Sequence, residues 1–315
     1  PPALRPSAAV QDFLTGPGDV DKLRLRPAAD PDALDDLRLA FDIFYSRFNI
    51  LARSDQIAGL PINSQLREQL WSQNAFFERV TPLIDGPDAN LSAALPALRD
   101  EMGLVAEEVR EILAQRRPQD AILGEEYGPK AGTSGLTWVL DPIDGTRSYL
   151  CGTPTWGVLV AVGDASGPVF GIIDQPYIGE RFEGGLGRAE VNGPLGRTAL
   201  KARAPRGLSE AIVMTTFPEV GTPEEGAAFR RVAGRAKLVR YGTDCYAYAL
   251  IAAGQIDLVI EAGLQAYDVQ APIAVIEAAG GVVTDWQGNP CLNGGRVLAA
   301  ANRAVHAEAL ALLNG

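Results

Sequence analysis

The sequence is poor in the residues that most often carry nucleophilic and zinc chemistry. Its 315 residues include a single histidine, His306, and three cysteines. One histidine argues against a His-based zinc site, a catalytic triad or a His general base. The cysteines, Cys151, Cys245 and Cys291, have no metal-binding spacing, so we interpret them as reduced thiols in a cytoplasmic protein. Any bound metal should therefore be a hard cation with oxygen ligands.

Basic residues and long apolar runs are also scarce. The chain has 28 Lys and Arg against 39 Asp and Glu, for a net charge of −11. This balance argues against nucleic-acid binding, and an anionic substrate would need a cation to offset the field of the protein. No apolar run approaches the roughly 18 residues that a membrane span needs, and the N-terminal stretch lacks the apolar core of a signal peptide. We therefore expect a soluble, cytoplasmic chain with neither nucleic-acid nor membrane partners.

The pattern of apolar residues changes along the chain. Residues 34–115 have mostly helical periodicity, interrupted by prolines. Short apolar runs then predict strands at 121–123, 137–140, 157–164, 168–174, 211–217, 237–242, 257–263, 281–286 and 297–302. Helical segments at 224–234, 244–254 and 269–281 separate several of the later strands. We expect a divergent, mainly helical part over residues 1–120, an α+β half over 121–203 and an α/β half over 204–315.

The segment WVLDPIDGTRSYLCG, residues 138–152, is the most informative in the sequence. A strand is predicted to end at Leu140, and Asp141 and Asp144 follow on a turn stiffened by Pro142. Two carboxylates and the Ile143 carbonyl on such a turn suit a hard cation. The alternative is that Asp144 caps a helix and Asp141 is only a turn residue.

Two further acidic positions could join these carboxylates. Glu125 follows a predicted strand, and Asp268 lies where we expect the N-cap of an apolar helix. Taken alone, Glu125 is better explained as part of a solvated acidic turn, and Asp268 as a plain helix cap. If all four carboxylates converged, their repulsion would require cations, which indicates a two- or three-metal site for phosphoryl transfer.

These motifs resemble those of the inositol monophosphatase superfamily of Mg²⁺-dependent phosphomonoesterases. ILGEE (122–126), WVLDPIDGTRSYLCG (138–152) and YDVQAPIAVIEAAGGVVTDWQG (267–288) match three motifs of the superfamily in order, and the resemblance covers residues 109–313. It implies an α/β (α+β) fold, a layered αβαβα sandwich with the site between its halves. The implied metal ligands are Glu125, Asp141, Ile143 through its carbonyl, Asp144 and Asp268. Glu125, Asp141, Asp144 and Thr146 would be catalytic, and the substrate would contact Gly145, Thr146, Asp244, Glu261 and Asp268.

Within the superfamily, RYGTDCYAYALIAAGQIDLVIEAGLQAYD (240–268) is most similar to bacterial histidinol-phosphate phosphatases. Inositol phosphatases typically have a small apolar residue where Asp244 lies, and an acidic side chain there fits a substrate that carries an amine. The alternative is that Asp244 caps the following helix.

The resemblance fails over the first hundred residues. The family carries a Val-Thr-x-x-Asp motif whose Asp, with the Thr matching Thr146, activates the attacking water. Here Met102 lies near the expected position, and Asp100 and Glu101 are close but out of register. The water-activating carboxylate is therefore unassigned.

The expected function is hydrolysis of L-histidinol phosphate, in histidine biosynthesis, by water activated by two or three Mg²⁺ ions. The alternatives are the same chemistry on inositol phosphate or another small phosphate ester, and a scaffold protein on this fold with weakened catalysis. The oligomeric state is not readable from the sequence, although a homodimer is common in the family.

Overall fold

A computed structural model describes residues 109–111, 113–150 and 153–315, except for the side chain of Leu150. The chain divides into two compact units, Pro1–Gln119 and Asp120–Gly315. Of the first unit, residues 109–111 and 113–116 are helical. The other helices expected before residue 115 lie outside the described residues.

The second unit begins with a seven-stranded sheet. Its strands are β1 (Ala121–Gly124), β2 (Thr137–Asp144), β3 (Gly157–Asp164), β4 (Gly167–Gln175), β5 (Glu180–Gly185), β6 (Arg188–Gly193) and β7 (Gly196–Ala199), which neighbour one another in this order. Within this seven-stranded sheet the β1–β2 pair is parallel, and the other five pairs of neighbouring strands are antiparallel. The short helix α1 (Thr146–Leu150) follows β2.

A five-stranded sheet follows, with the order β11-β12-β10-β8-β9. Its strands are β8 (Ile212–Thr215), β9 (Leu238–Tyr241), β10 (Leu258–Gln265), β11 (Val282–Thr284) and β12 (Gly294–Ala300). Helices α2 (Pro223–Ala233), α3 (Asp244–Ala252), α4 (Ala266–Ala278) and α5 (Arg303–Leu313) connect or follow them. The β8–β9 and β8–β10 pairs are parallel, so the carboxyl ends of β8 and β10 lie at the same edge.

The elements form layers because strand β10 buries side chains on both faces. Leu258 and Ile260 belong to a core cluster shared with α2 and α5, whereas Val259 belongs to a second cluster shared with α3 and α4. Helices α3 and α4 also pack against strands of the first sheet, so they lie between the two sheets. A strand covered on both faces reads as a continuous apolar run, which is why its sequence shows no alternation.

Helix α4 approaches the first sheet closely at a glycine. A Cβ on Gly171 of β4 would lie 2.7 Å from the carbonyl oxygen of Ala271 in α4. Only glycine permits this packing distance. The close contact holds the N-terminal half of α4, which carries Asp268, against the sheet that carries Asp141.

The predicted mixed α/β class with two sheets is confirmed, and each strand predicted from an apolar run is found, with ends shifted by a few residues. Strands β5, β6 and β7 occupy residues 180–199, where the apolar pattern predicted no strand. Their charged and glycine residues lack an apolar pattern, and pairing to β4 determines their conformation instead.

Candidate active site

Strands β1 and β2 bring Glu125 and Asp141 to one end of the first sheet. The two strands are parallel, and the Glu125 N–H donates to the Leu140 carbonyl over 3.2 Å directly after β1 ends. The expectation that β2 ends at Leu140 is wrong, because the strand continues to Asp144 with an irregular register between Asp141 and Asp144. This irregularity lets two aspartates of one strand approach the same point, which strict alternation would prevent.

Hydrogen bonds within the turn hold it in shape. The Ile143 N–H donates to Oδ1 of Asp141 over 3.0 Å, and Oγ1 of Thr146 donates to the Ile143 carbonyl over 3.2 Å. Gly145 has a φ of +80°, which an L side chain rarely adopts. Helix α1 begins at Thr146, directly after this glycine.

Asp268 approaches Asp141 and Asp144 from helix α4, which lies between the two sheets. It is the third residue of α4, and its Oδ2 accepts a hydrogen bond of 2.7 Å from the Gln265 N–H. The expectation of an N-cap position is therefore wrong by three residues, because Gln265 is the N-cap. Asp268 still satisfies one exposed backbone N–H at the helix start, through the reverse arm of a capping box.

The carboxylates of Asp141, Asp144 and Asp268 converge. One ligand oxygen from each lies within 4.8 Å of the others, and Asp141 is only 2% exposed. Burial and the charges of Asp144, Glu125 and Asp268 hold the pKa of Asp141 well above its ordinary value. Glu125, although exposed, is thus the fourth carboxylate acting on this point.

The other two aspartates are shifted in the same direction. Burial, Asp268 and Asp244 raise the pKa of Asp144 to about 8, and burial raises the pKa of Asp268. Among the described residues, no Lys or Arg is a main cause of the pKa shifts of these three aspartates. Three converging aspartates whose pKa shifts have no basic residue of the described ranges among their main causes fit a hard divalent cation, whose charge would stabilise the ionised forms.

Asp244 lies beside this cluster. Its Oδ2 accepts hydrogen bonds from Ser148 (2.5 Å) and Thr155 (3.2 Å), and a Cβ on Gly145 would lie 2.8 Å from the Asp244 Cβ. The carboxylate does not cap α3, which argues against the cap alternative. The residue has a φ of 43°, a left-handed conformation that Asp tolerates better than most residues do.

The start of α3 also contacts the cluster directly. The Cys245 N–H donates to Oδ2 of Asp144 over 2.7 Å. A backbone donor of this kind favours the ionised carboxylate, and it opposes part of the rise in the pKa of Asp144. Asp144 is therefore held in place by the helix that carries Asp244.

Glu261 completes the acidic surface on the second sheet. It lies on β10, is 7% exposed, and its Oε1 accepts hydrogen bonds from the N–H (2.7 Å) and hydroxyl (2.9 Å) of Thr216. Burial raises its pKa to about 7, and Asp244 adds to the rise while the Thr216 bonds oppose it.

Sequence reasoning missed the hydroxyl groups that hold these carboxylates. Ser148 lies within the DPIDGTRS segment, so its position in that motif is a signal that we could have used. Thr155 and Thr216 have no distinguishing pattern, and only the fold brings them to Asp244 and Glu261. Asp100, Glu101 and Met102, which bear on the missing water-activating group, lie outside the described residues.

Comparison with known proteins agrees with these motifs. A family model of the inositol monophosphatase family matches residues 102–314. Bifunctional phosphatase IMPL2, chloroplastic, of Arabidopsis thaliana is 41% identical over 219 residues, which are 66% of this chain and 62% of that protein. The chain thus spans less than two thirds of the length of that relative.

Two further relatives cover more of their own length. A histidinol-phosphatase of Chlorobaculum parvum is 30% identical over 65% of this chain and 78% of its own. The structure of an inositol monophosphatase from Zymomonas mobilis matches with a TM-score of 0.61 at 36% identity, over 67% of this chain and 81% of that chain. All three relatives are named phosphatases.

No helix among the described residues is long and apolar enough to cross a membrane.

Proposed function

Because this chain belongs to the inositol monophosphatase family, a family of phosphate monoester hydrolases, we propose that it is a Mg²⁺-dependent phosphatase of L-histidinol phosphate. The observation that carries the proposal is the convergence of Asp141, Asp144 and Asp268 within 4.8 Å, without a basic partner among the described residues. The products would be L-histidinol and phosphate, in histidine biosynthesis.

Asp141, Asp144 and Asp268 would hold two or three Mg²⁺ ions, together with Glu125 and the Ile143 carbonyl. The Ile143 carbonyl accepts a hydrogen bond from Thr146 and keeps a second lone pair for a cation. When bound, Mg²⁺ supplies a Lewis acid that withdraws charge from the phosphate oxygens. The protein contributes the fixed position of the carboxylates, since β2, α3 and α4 all restrain them.

Gly145 and Thr146 would bind the phosphate group through their backbone N–H groups. The Thr146 hydroxyl donates to the Ile143 carbonyl, so its own lone pairs can accept a hydrogen bond from the attacking water. We propose that a carboxylate from the segment before Glu125 takes the proton of that water, and Asp100 and Glu101 are the nearest candidates in sequence. Both candidates lie outside the described residues.

Asp244 and Glu261 would receive the amine of the substrate. Both hydroxyl donors to Asp244 reach Oδ2, and both donors to Glu261 reach Oε1. These four bonds use one oxygen of each carboxylate, so the second oxygen remains as an acceptor for a ligand. An ammonium group needs acceptors of this kind, and a charge-assisted bond to it would favour an amino alcohol as the leaving group.

Inositol phosphate is the second candidate substrate. It is favoured by the Zymomonas mobilis protein, which is named an inositol monophosphatase and is 36% identical to this chain. Its hydroxyl groups could donate to the same oxygen atoms of Asp244 and Glu261, although without the charge of an ammonium group.

The test is phosphate release from L-histidinol phosphate, inositol phosphate and glycerol phosphate during a Mg²⁺ titration. We expect activity that depends on Mg²⁺ and the highest kcat/KM for histidinol phosphate. Asp164→Asn is the matched control for substitutions in the cluster, because Asp164 lies on an exposed turn where Asn can also accept the Ser166 N–H bond. A higher kcat/KM for inositol phosphate would transfer the assignment to that substrate, and no release at any Mg²⁺ concentration would favour the scaffold alternative.

A further inference from the structure

The environment of Glu261 contains a residue to which neither the family resemblance nor the sequence assigns a role. Thr216 gives both of its donors, the N–H and the hydroxyl, to the same oxygen of Glu261. The residue directly follows β8, which pairs in parallel with β10 through Leu258–Val213 and Val259–Met214. Continuing this register places Thr216 opposite Glu261, at the edge where the carboxyl ends of both strands lie.

The next residue places this segment beside the proposed phosphate end of the site. The Arg147 guanidinium lies 4.9 Å from the ring centroid of Phe217, and Arg147 directly follows Thr146. Thr216 therefore contacts Glu261, the carboxylate at the proposed amine end of the site. Phe217 contacts Arg147 of the helix that follows the metal-binding turn. A substrate that spans the two ends would lie along this segment.

Two bonds to one oxygen restrict the rotation of the carboxylate. They leave Oε2 as the acceptor available to a ligand, and they favour the charged form of a side chain that burial would otherwise make neutral. Within the described part of the chain, the titratable groups that mainly interact with Glu261 are Asp244 and Tyr248 of α3, and neither supplies a positive charge. Thr216 thus opposes neutralisation of Glu261 through both of its donors, and the side chain of Thr215 acts more weakly in the same direction.

We propose that Thr216 is a positioning residue for substrate choice, which holds the Glu261 carboxylate in the orientation that receives the ammonium group of the substrate. The proposal rests on the function proposed above. It adds that selectivity for an amine depends on a hydroxyl group that does not itself touch the substrate.

The first test is Thr216→Val, which removes the hydroxyl donor while it keeps the side-chain shape and the N–H. We expect kcat/KM for histidinol phosphate to fall about 10-fold, mainly through KM, because the lost bond acts on a charged group. Glycerol phosphate, which has no amine, should change less than about twofold. Thr216→Ser should restore the wild-type ratio between the two substrates, and Thr198→Val on the exposed strand β7 is the matched control.

The pH profile and a double-mutant cycle separate positioning from a general loss of structure. Without the hydroxyl bond the pKa of Glu261 should rise further above its wild-type value of about 7, so Thr216→Val should recover selectivity at higher pH. In a Glu261→Gln background, Thr216→Val should have no further effect on the substrate ratio. Thr216→Ala offers the same comparison if the Val variant does not fold.

The possible failures are distinguishable. If the wild type shows no preference for the amine substrate, the proposed function is wrong. If the wild type prefers the amine and Thr216→Val keeps the full preference, or lowers it equally with and without Glu261, the positioning role is wrong. An equal loss on both substrates would show that Thr216 is a structural residue.

Discussion

The Asp144→Asn substitution should stabilise the protein in the absence of Mg²⁺, although it removes a proposed metal ligand. The folded protein raises the pKa of Asp144 from 3.8 to about 8. In the unfolded chain the pKa of Asp144 is close to its ordinary value of 3.8. At a pH between this value and about 8, the folded state therefore binds one more proton than the unfolded state does. Without Mg²⁺, this contribution to stability is therefore greatest at low pH and declines as the pH rises from about 4 towards 8.

The magnitude follows from the size of the shift. A change of about four pKa units corresponds to an upper limit of about 6 kcal/mol. Asp144 is only partly buried, and solvent screens part of this energy, so we expect about 2 kcal/mol between pH 5 and pH 8. For a chain of this size, that is a fall in Tm of about 4 °C. Mg²⁺ should reverse the fall, because it binds the ionised carboxylates of the folded state.

The assay is differential scanning calorimetry at pH 5 and pH 8, with and without Mg²⁺. Asparagine keeps an acceptor for the Cys245 N–H but has no charge, so Asp144→Asn should unfold at a higher temperature than the wild type at pH 8 without Mg²⁺. The substitution should also abolish most of the response to Mg²⁺, whereas Asp164→Asn should behave as the wild type does. If Mg²⁺ does not change the wild-type Tm at pH 8 and Asp144→Asn is less stable, the carboxylates are compensated within the protein and the metal assignment is wrong.

Activity measurements should extend this result. Asp144→Asn should lower phosphate release about 10³-fold or more even at saturating Mg²⁺, since a charged ligand is lost; turnover at the wild-type rate would show that the site lies elsewhere. Asp244→Asn, which tolerates the positive φ, should lower kcat/KM about 10- to 100-fold for histidinol phosphate but little for glycerol phosphate; an equal fall would make Asp244 a fold determinant. Ser148→Ala removes the 2.5 Å bond to Asp244 and should give a smaller loss of the same selectivity, as measured by the ratio of the two kcat/KM values. Gly145→Ala should impair both substrates and lower the Tm, because its φ is +80° and its Cβ would lie 2.8 Å from that of Asp244; unchanged kinetics would contradict the close approach.

The local sequence by itself determined the elements and the turn at the centre of the site. Apolar runs and their glycine boundaries predict most of the strands, because a strand buried on both faces needs apolar residues throughout. The DPIDGT turn can also be predicted from the sequence, since its aspartates, its glycine and the start of α1 lie within six residues. The hydrogen bonds from Ile143 to Asp141 and from Thr146 to Ile143 are local in the same sense.

Only the tertiary structure decided which groups hold the carboxylates. Ser148 and Thr155 reach Asp244 across 96 and 89 residues of chain, and Thr216 reaches Glu261 across 45. Asp144 meets the Cys245 N–H across 101 residues. No periodicity encodes such pairs, because a threonine that ends a strand looks the same whether it faces solvent or a carboxylate. Their partners are determined by strand register and by the packing of α3 and α4 between the sheets, and these depend on the whole fold.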